Sequence, residues 1–344
     1  MALILKKIYS FIKDLFVIID NPKSGLFMVE YASWFYGLLT SVIIFILGHQ
    51  LVNPYYMIEV RFMLVGGTAL LMWLYWIYPC KLTTFFRVAM QFFMLIFWYS
   101  ETYEFNRVFP NLDYFFADLE QTLFGCQPAV EFSRLLQGKF WSEIFNLGYW
   151  SYFPMIAVLL VYNLFFQPEK KFQYVSFVII TTFFLYYLVF IFLPVAGPQF
   201  YYLAIGYPDK DIYEIAQNGF PALGDYFNYN TDLLPAPGDS NGFFFQRVAD
   251  AQATGERPTA AFPSSHVGCS TVMMILAWKG NKKLFAFLTP FYLLLFCATV
   301  YIQAHYLIDA IAGFFTAFLM YYIADMLYYC FTERALPWRR KVFR

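Results

Sequence analysis

Charge is what this sequence has little of. Only 13% of its 344 residues are Asp, Glu, Lys or Arg, and the 23 acidic residues cancel the 23 basic ones. Soluble domains carry roughly a quarter charged residues, so the composition excludes an ordinary soluble domain. A net charge of zero also gives no argument for nucleic acid as a partner. Cysteine is scarce too: Cys80, Cys126, Cys269, Cys297 and Cys330 form neither a CxxC pair nor a Cys/His cluster. Neither zinc nor a disulfide framework is therefore indicated. There is no Walker loop and no dinucleotide fingerprint, so no cofactor and no metal are expected. The first residues lack a small-residue cleavage site, which argues against a signal peptide.

What the chain does have is apolar and aromatic sequence. Hydrophobic residues make up 60% of it and aromatic residues 24%, in long runs rather than in alternation. A spanning helix needs about 20 mostly apolar residues. Runs of that kind cover Tyr31–His49, Phe62–Tyr78, Thr84–Tyr99, Leu147–Phe166, Phe172–Leu193, Ser264–Trp278, Leu284–Tyr301 and Tyr306–Tyr328. The expected fold class is all-α: a polytopic membrane bundle of about eight transmembrane helices. Ahead of them, "LILKKIYSFIKDLFVIID" sets Ile8, Phe11, Ile12, Leu15 and Ile19 on one helical face, as in a helix lying in the membrane interface.

Lys and Arg in short loops mark the cytoplasmic side. With eight spans, Lys6, Lys7, Lys13, Lys23, Lys81, Arg87, Lys170, Lys171, Lys279, Lys282, Lys283 and the basic residues of the tail fall on one side. Both termini are then cytoplasmic. Two long loops, near Ser100–Asn146 and Pro194–Pro263, lie on the opposite side, outside the cell or in a lumen. The first carries "LDYFFADLEQTLFG" and "AVEFSRLLQGKFWSEIF", with apolar residues at the spacing of short amphipathic helices. The second is dense in turn residues at "NYNTDLLPAPGDSNG" and helix-compatible at "FFFQRVADAQATGER".

Two stretches place ionisable groups at the edges of apolar runs. "ERPTAAFPSSHVGCS" opens the sixth span with Ser264, Ser265 and His266, where unpaired N–H groups and the helix dipole favour an anion such as phosphate. Arg257, nine residues before His266, offers a planar fork for phosphoryl oxygens. "TVYIQAHYLIDAIAG" sets His305 and Asp309 four residues apart. That spacing predicts one helical face, with the carboxylate orienting the imidazole as a nucleophile or a base. All three groups reach the same membrane side. His49, with no carboxylate four residues away, reads as an interfacial anchor.

"PSSH" and "HYLID" resemble the second and third signature motifs of the type 2 phosphatidic acid phosphatase superfamily, written PSGH and SRxxxxxHxxxD. Ser265 stands in place of the usual Gly, and Ala298 and Thr299 in place of the Ser and Arg. Those departures resemble the inositol phosphorylceramide synthase branch, as do "FPSSHVGC" and, more weakly, "LFGCQPAVEF" and "PVAGPQFYY". The resemblance covers about Leu112 to Gly313. It implies a six-helix catalytic core and leaves the first two spans unexplained; with the interfacial and tail readings above, the chain divides into an interfacial segment at 1–25, a membrane-embedded catalytic domain at 26–330 and a basic cytoplasmic tail at 331–344. It also implies lipid substrates and a metal-independent double displacement. In that scheme His305 attacks phosphorus, Asp309 orients it, and His266 protonates the leaving oxygen and then deprotonates the acceptor. Arg257, Ser264 and Ser265 would hold the phosphoryl oxygens, as would Gln199, which stands where relatives often carry a basic residue. The expected activity is transfer of a phosphoinositol-type headgroup from a glycerophospholipid to a ceramide-like lipid, in a plasma, inner or Golgi-type membrane. The alternative is a lipid phosphatase acting on phosphatidate, prenyl diphosphate or a lipid A phosphate.

Overall fold

Within lipid, long apolar runs satisfy their backbone N–H and C=O groups by coiling, and coiling dominates this chain. The computed structural model describes Tyr9 and residues 12–334. Residues 1–8, 10 and 11 of the expected interfacial segment, and 335–344 of the expected basic tail, lie outside the described residues. Among the described residues, extended pairing is a single antiparallel bridge between Ile18 and Cys80. The helices are α1 (Met28–Leu47), α2 (Pro54–Ile77), α3 (Lys81–Phe93), α4 (Leu95–Asn106), α5 (Asp113–Phe124), α6 (Pro128–Leu135), α7 (Lys139–Trp150) and α8 (Tyr152–Phe166). They continue with α9 (Glu169–Phe192), α10 (Pro198–Ala204), α11 (Ile212–Asn218), α12 (Phe243–Gly255), α13 (Ser265–Gly280), α14 (Lys282–Tyr301) and α15 (Leu307–Arg334).

Six of the expected spans each fall on one helix, while Thr84–Tyr99 falls on α3 and α4 and Leu147–Phe166 on α7 and α8. Among the described residues, 6 helices are long and apolar enough to cross a membrane, with α3 and α4 passing together as Lys81–Asn106. The number rises to 7 if α7 and α8 count as one span. The span expected over Leu147–Phe166 falls on this pair, bent by 43°. The expected sixth span, α13, has only 16 residues, or about 24 Å at 1.5 Å per residue. It is buried along almost its whole length, as expected of a helix apolar on every side. The chain is an integral membrane protein; the loop segments expected to be amphipathic are helical as α5, α6 and the first part of α7, and the helix-compatible one as α12.

The chain divides into two compact units, Met1–Phe97 with Leu160–Thr181, and Trp98–Leu159 with Thr182–Arg344. The first corrects one reading of the sequence. Arg87, expected as a loop cation, is buried on α3 and paired with Glu30 of α1, its Nε and Nη2 lying 2.8 Å and 2.6 Å from the carboxylate oxygens. Its guanidinium also stacks 3.6 Å from the centre of the Phe27 ring. In the second unit α14 packs on α7 and α13, and α13 on α15. Gly313 lets α15 approach the start of α13: a Cβ there would strike the Ser264 carbonyl oxygen.

Candidate active site

The two motifs are tied together by their backbones. Ser264 caps α13, accepting from the Val267 N–H at 3.4 Å, while its own N–H donates to the Asp309 carbonyl at 2.9 Å. Two residues on, the His266 ring lies between Tyr149, with ring centres 4.8 Å apart, and Tyr152, at 4.6 Å. These tyrosines flank Ser151, where α7 gives way to α8, so the bend within the expected span supplies rings on both sides of it to the imidazole.

His305 sits in the turn after α14. Its N–H donates to the Thr299 carbonyl at 3.0 Å, and its Nδ1 lies 2.8 Å from the Ala261 carbonyl oxygen. A carbonyl oxygen can only accept, so Nδ1 carries the proton and Nε2 presents a lone pair. That Nε2 is 3.4 Å from His266 Nδ1. Burial pushes the His305 pKa down to about 4, against the opposing effects of the Ala261 carbonyl and the Glu256 charge. The ring is therefore neutral near pH 7.

Asp309 departs from its expected geometry. α15 begins at Leu307, so His305 lies outside the helix and shares no helical face with Asp309. The carboxylate turns back instead: Oδ2 accepts from the Tyr306 N–H at 2.9 Å and stands 3.6 Å from His305 Nδ1. The hydrogen bond that fixes the ring comes from Ala261 rather than from Asp309. Its Oδ1 is buried with no hydrogen-bond partner.

Contacts thus join Ser264, His266, His305 and Asp309. The other expected residues are engaged by protein groups. Ser265 is buried, and its carbonyl oxygen lies 3.4 Å from the Tyr152 hydroxyl. The Gln199 Oε1 accepts from the Gln252 amide at 3.0 Å. The Arg257 Nη1 donates to the Glu256 carbonyl at 2.8 Å.

Two acids were missed by sequence reasoning. Asp113 accepts from the N–H groups of Ala196 and Gly197 at 2.6 Å and 2.8 Å, from the Asn111 amide at 2.6 Å and from the Tyr306 hydroxyl at 3.0 Å. It thereby pins the turn beside the histidine loop, where Gln199 N–H donates to the Gln303 carbonyl at 2.9 Å and Ala261 N–H to the Val195 carbonyl at 2.9 Å. Gly197 is required in that turn. Its φ is +95°, and a Cβ would lie 2.7 Å from the Ala304 carbonyl oxygen. Burial raises the pKa of Asp113, and its four hydrogen bonds oppose the shift. The second acid, Glu256, accepts from the Tyr99 hydroxyl at 3.2 Å and from the Gln199 side chain. Burial raises its pKa as well, and the Tyr99 hydrogen bond opposes the shift. Helix-start spacing makes Asp113 look like an ordinary N-terminal acid, and nothing in the sequence around Glu256 points to His305.

A sequence model described as the PAP2 superfamily matches residues 115–323. The chain belongs to the PAP2 superfamily. It is accordingly an enzyme of the phosphatase and phosphotransferase class, and the matched region contains His266, His305 and Asp309. No curated protein and no solved structure matches the chain. In this PAP2 enzyme, no group of three or more His, Cys, Asp or Glu among the described residues is placed to hold a metal ion.

Proposed function

We propose that this PAP2 enzyme is a lipid phosphotransferase that passes a phosphoinositol-type headgroup from a glycerophospholipid to the primary hydroxyl of a ceramide-like lipid, through a phosphohistidine on His305. The observation that carries the reading is the lone pair of His305 Nε2, set by the Ala261 carbonyl and aimed at His266 Nδ1 3.4 Å away. A phosphoryl group enters by displacing that contact. Nε2 then forms a bond to phosphorus, the bond from phosphorus to the diacylglycerol oxygen breaks, and His266 delivers a proton to that oxygen. In the second half the acceptor hydroxyl attacks phosphorus, the phosphorus–nitrogen bond breaks, and His266 takes the hydroxyl proton. Arg257 and the first-turn N–H groups of α13 stabilise the phosphoryl oxygens. Asp309 stabilises positive charge on His305 across 3.6 Å.

The choice of a transferase rests on Thr299. Its hydroxyl donates to the Phe296 carbonyl at 2.8 Å within α14, so this position offers the phosphoryl group neither the usual cation nor a hydroxyl. A bulky headgroup is better tolerated by such a site than by one closed with arginine. The basic short loops support cytoplasmic termini and a site on the extracytoplasmic or lumenal side.

The test is an assay of purified protein in mixed micelles containing a fluorescent ceramide, phosphatidylinositol and phosphatidate, with EDTA present. The expected result is a phosphorylated ceramide product that disappears in His305→Ala. Release of free phosphate alone would make the chain a lipid phosphatase and overturn the transfer reading.

A further inference from the structure

The scheme above asks His266 to carry a proton to the diacylglycerol oxygen. A ring that gives up a proton and ends neutral must begin as the imidazolium, with both nitrogens protonated. Such a charge is costly where hydration is lost, and His266 is half-buried in the first turn of α13. The carboxylate of the histidine pair does not meet it: Asp309 Oδ2 lies 3.6 Å from His305 Nδ1, whereas His266 faces the other ring nitrogen, Nε2. Against the His266 imidazole stand two phenol rings instead. The centre of Tyr149 is 4.8 Å from its own, with 29° between the planes, and that of Tyr152 is 4.6 Å away at 45°. A cation within about 6 Å of an aromatic ring centre is attracted by the negative face of the ring.

Both rings are held in place by the surrounding helices. Tyr152 is buried, its hydroxyl lies 3.4 Å from the Ser265 carbonyl oxygen, and its ring centre is 6.1 Å from that of Phe183 on α9. Tyr149 packs against the apolar cluster that includes Phe145, Val248 and Tyr301. Gly148 brings this stretch onto α14, since a Cβ there would lie 2.7 Å from the Leu294 carbonyl oxygen. The Ser151 hydroxyl, between the two tyrosines, donates to the Gly148 carbonyl at 2.6 Å.

We propose that Tyr149 and Tyr152 are positioning residues whose ring faces stabilise the protonated form of His266 and keep it populated for proton transfer. In the first half-reaction the bond from His305 Nε2 to phosphorus forms, the phosphorus–oxygen bond breaks, and the proton passes from His266 to the freed oxygen, leaving the ring neutral. In the second, the proton of the acceptor hydroxyl restores the imidazolium beside the same two rings. This assignment deepens the proposed function and rests on its use of His266, not on the identity of headgroup or acceptor.

The test follows leaving-group release in a single turnover without acceptor, with the full chain in micelles and two donors. Phosphatidylinositol has a leaving oxygen that needs a proton; the p-nitrophenyl ester of the same headgroup has one that leaves without it. Tyr149→Leu and Tyr152→Leu remove a ring face at similar bulk, and Tyr149→Phe and Tyr152→Phe restore it. Each leucine variant is expected to slow diacylglycerol release about tenfold, as loss of a desolvated cation–π contact does, and to slow p-nitrophenolate release far less. The phenylalanine variants should recover most of the loss. The ratio of the two rates in one preparation does not depend on how much of the protein is folded. Leucine variants that slow both donors equally, or phenylalanine variants that lose as much as leucine, would overturn the proposal. His266→Ala separates that failure from failure of the scheme beneath it. If this variant also slows both donors equally, His266 is not the proton carrier and the tyrosine assignment falls with it; if it slows phosphatidylinositol selectively and the leucine variants do not, the tyrosine assignment fails alone. If the wild type proves to be a phosphatase, the same ratio is read with phosphatidate and p-nitrophenyl phosphate, and the same outcomes decide.

Discussion

Both compact units bury carboxylates, and they satisfy them differently. In the first, Glu30 is paired with Arg87 through two hydrogen bonds, and a third comes from the Phe27 N–H at 2.7 Å. In the second, Asp113 is surrounded by neutral donors. Glu120 accepts from the Ile308 N–H at 3.1 Å and leaves Oε2 without a hydrogen-bond partner; Asp309 likewise leaves Oδ1. A buried ion pair closed by a fixed guanidinium is a structural clamp. Asp113 and Glu120, held only by neutral donors, have their proton affinity raised by burial instead. The difference separates a part of the chain that holds its shape from a part arranged around reacting atoms.

The largest effect is expected at the histidine pair. His305→Ala should lower kcat by about 10,000-fold or more, as removal of a catalytic nucleophile does elsewhere, with the thermal midpoint in detergent nearly unchanged. Turnover close to wild type would place the nucleophile elsewhere. Glu30→Ala breaks the comparison from the other side. It leaves Arg87 buried and unpaired and should cost about 3–5 kcal/mol of stability, while turnover per folded molecule stays the same. The double change Glu30→Leu/Arg87→Met should recover most of that loss in a denaturation experiment. A kcat that fell in proportion to the Glu30→Ala destabilisation would contradict the separation.

Asp309→Asn comes next. Because the Ala261 carbonyl already fixes the His305 tautomer, the expected loss in kcat is about 100-fold, at the low end of what acid–base partners contribute. A loss as large as that of His305→Ala would mean that Asp309, rather than Ala261, sets the ring. Glu120 is tested through pH, with no loss of turnover expected. Burial raises its pKa to about 8 from the usual 4.5, with the nearby Asp309 charge adding to the shift. The folded state therefore holds a proton that the unfolded state has released. Between those values stability should fall as pH rises, by at most about 1.4 kcal/mol per pH unit. Glu120→Gln should flatten this slope in thermal melts from pH 5 to 8 and stabilise the protein at the alkaline end; an identical slope would show that Glu120 is ionised in the fold.

Much of this was legible in the sequence. Apolar runs located the helices because backbone in lipid has few alternatives, and the pairing of "PSSH" with "HYLID" located the histidines because ionisable groups at such places are costly. The bend at Ser151 was not legible, since Leu147–Phe166 is apolar on both sides of it. Nor was the role of Arg87, which by composition alone resembles any loop cation. The spacing of His305 and Asp309 suggested a shared helical face, yet the helix starts after His305 and a carbonyl from Ala261, 44 residues away in sequence, takes the orienting position. Long-range backbone contacts of this kind leave no periodic signal. Asp113 was overlooked for the same reason: its four partners come from three separate stretches of chain.

The most direct test of the central claim is to trap the covalent intermediate. Enzyme mixed with phosphatidylinositol in micelles would be quenched in alkali, which preserves phosphorus–nitrogen bonds, then digested and sequenced by mass spectrometry. The account predicts a phosphoinositol adduct on the peptide containing His305, absent in His305→Ala and discharged when ceramide is added before the quench. An adduct on His266, or product formation with no adduct on either histidine, would contradict it.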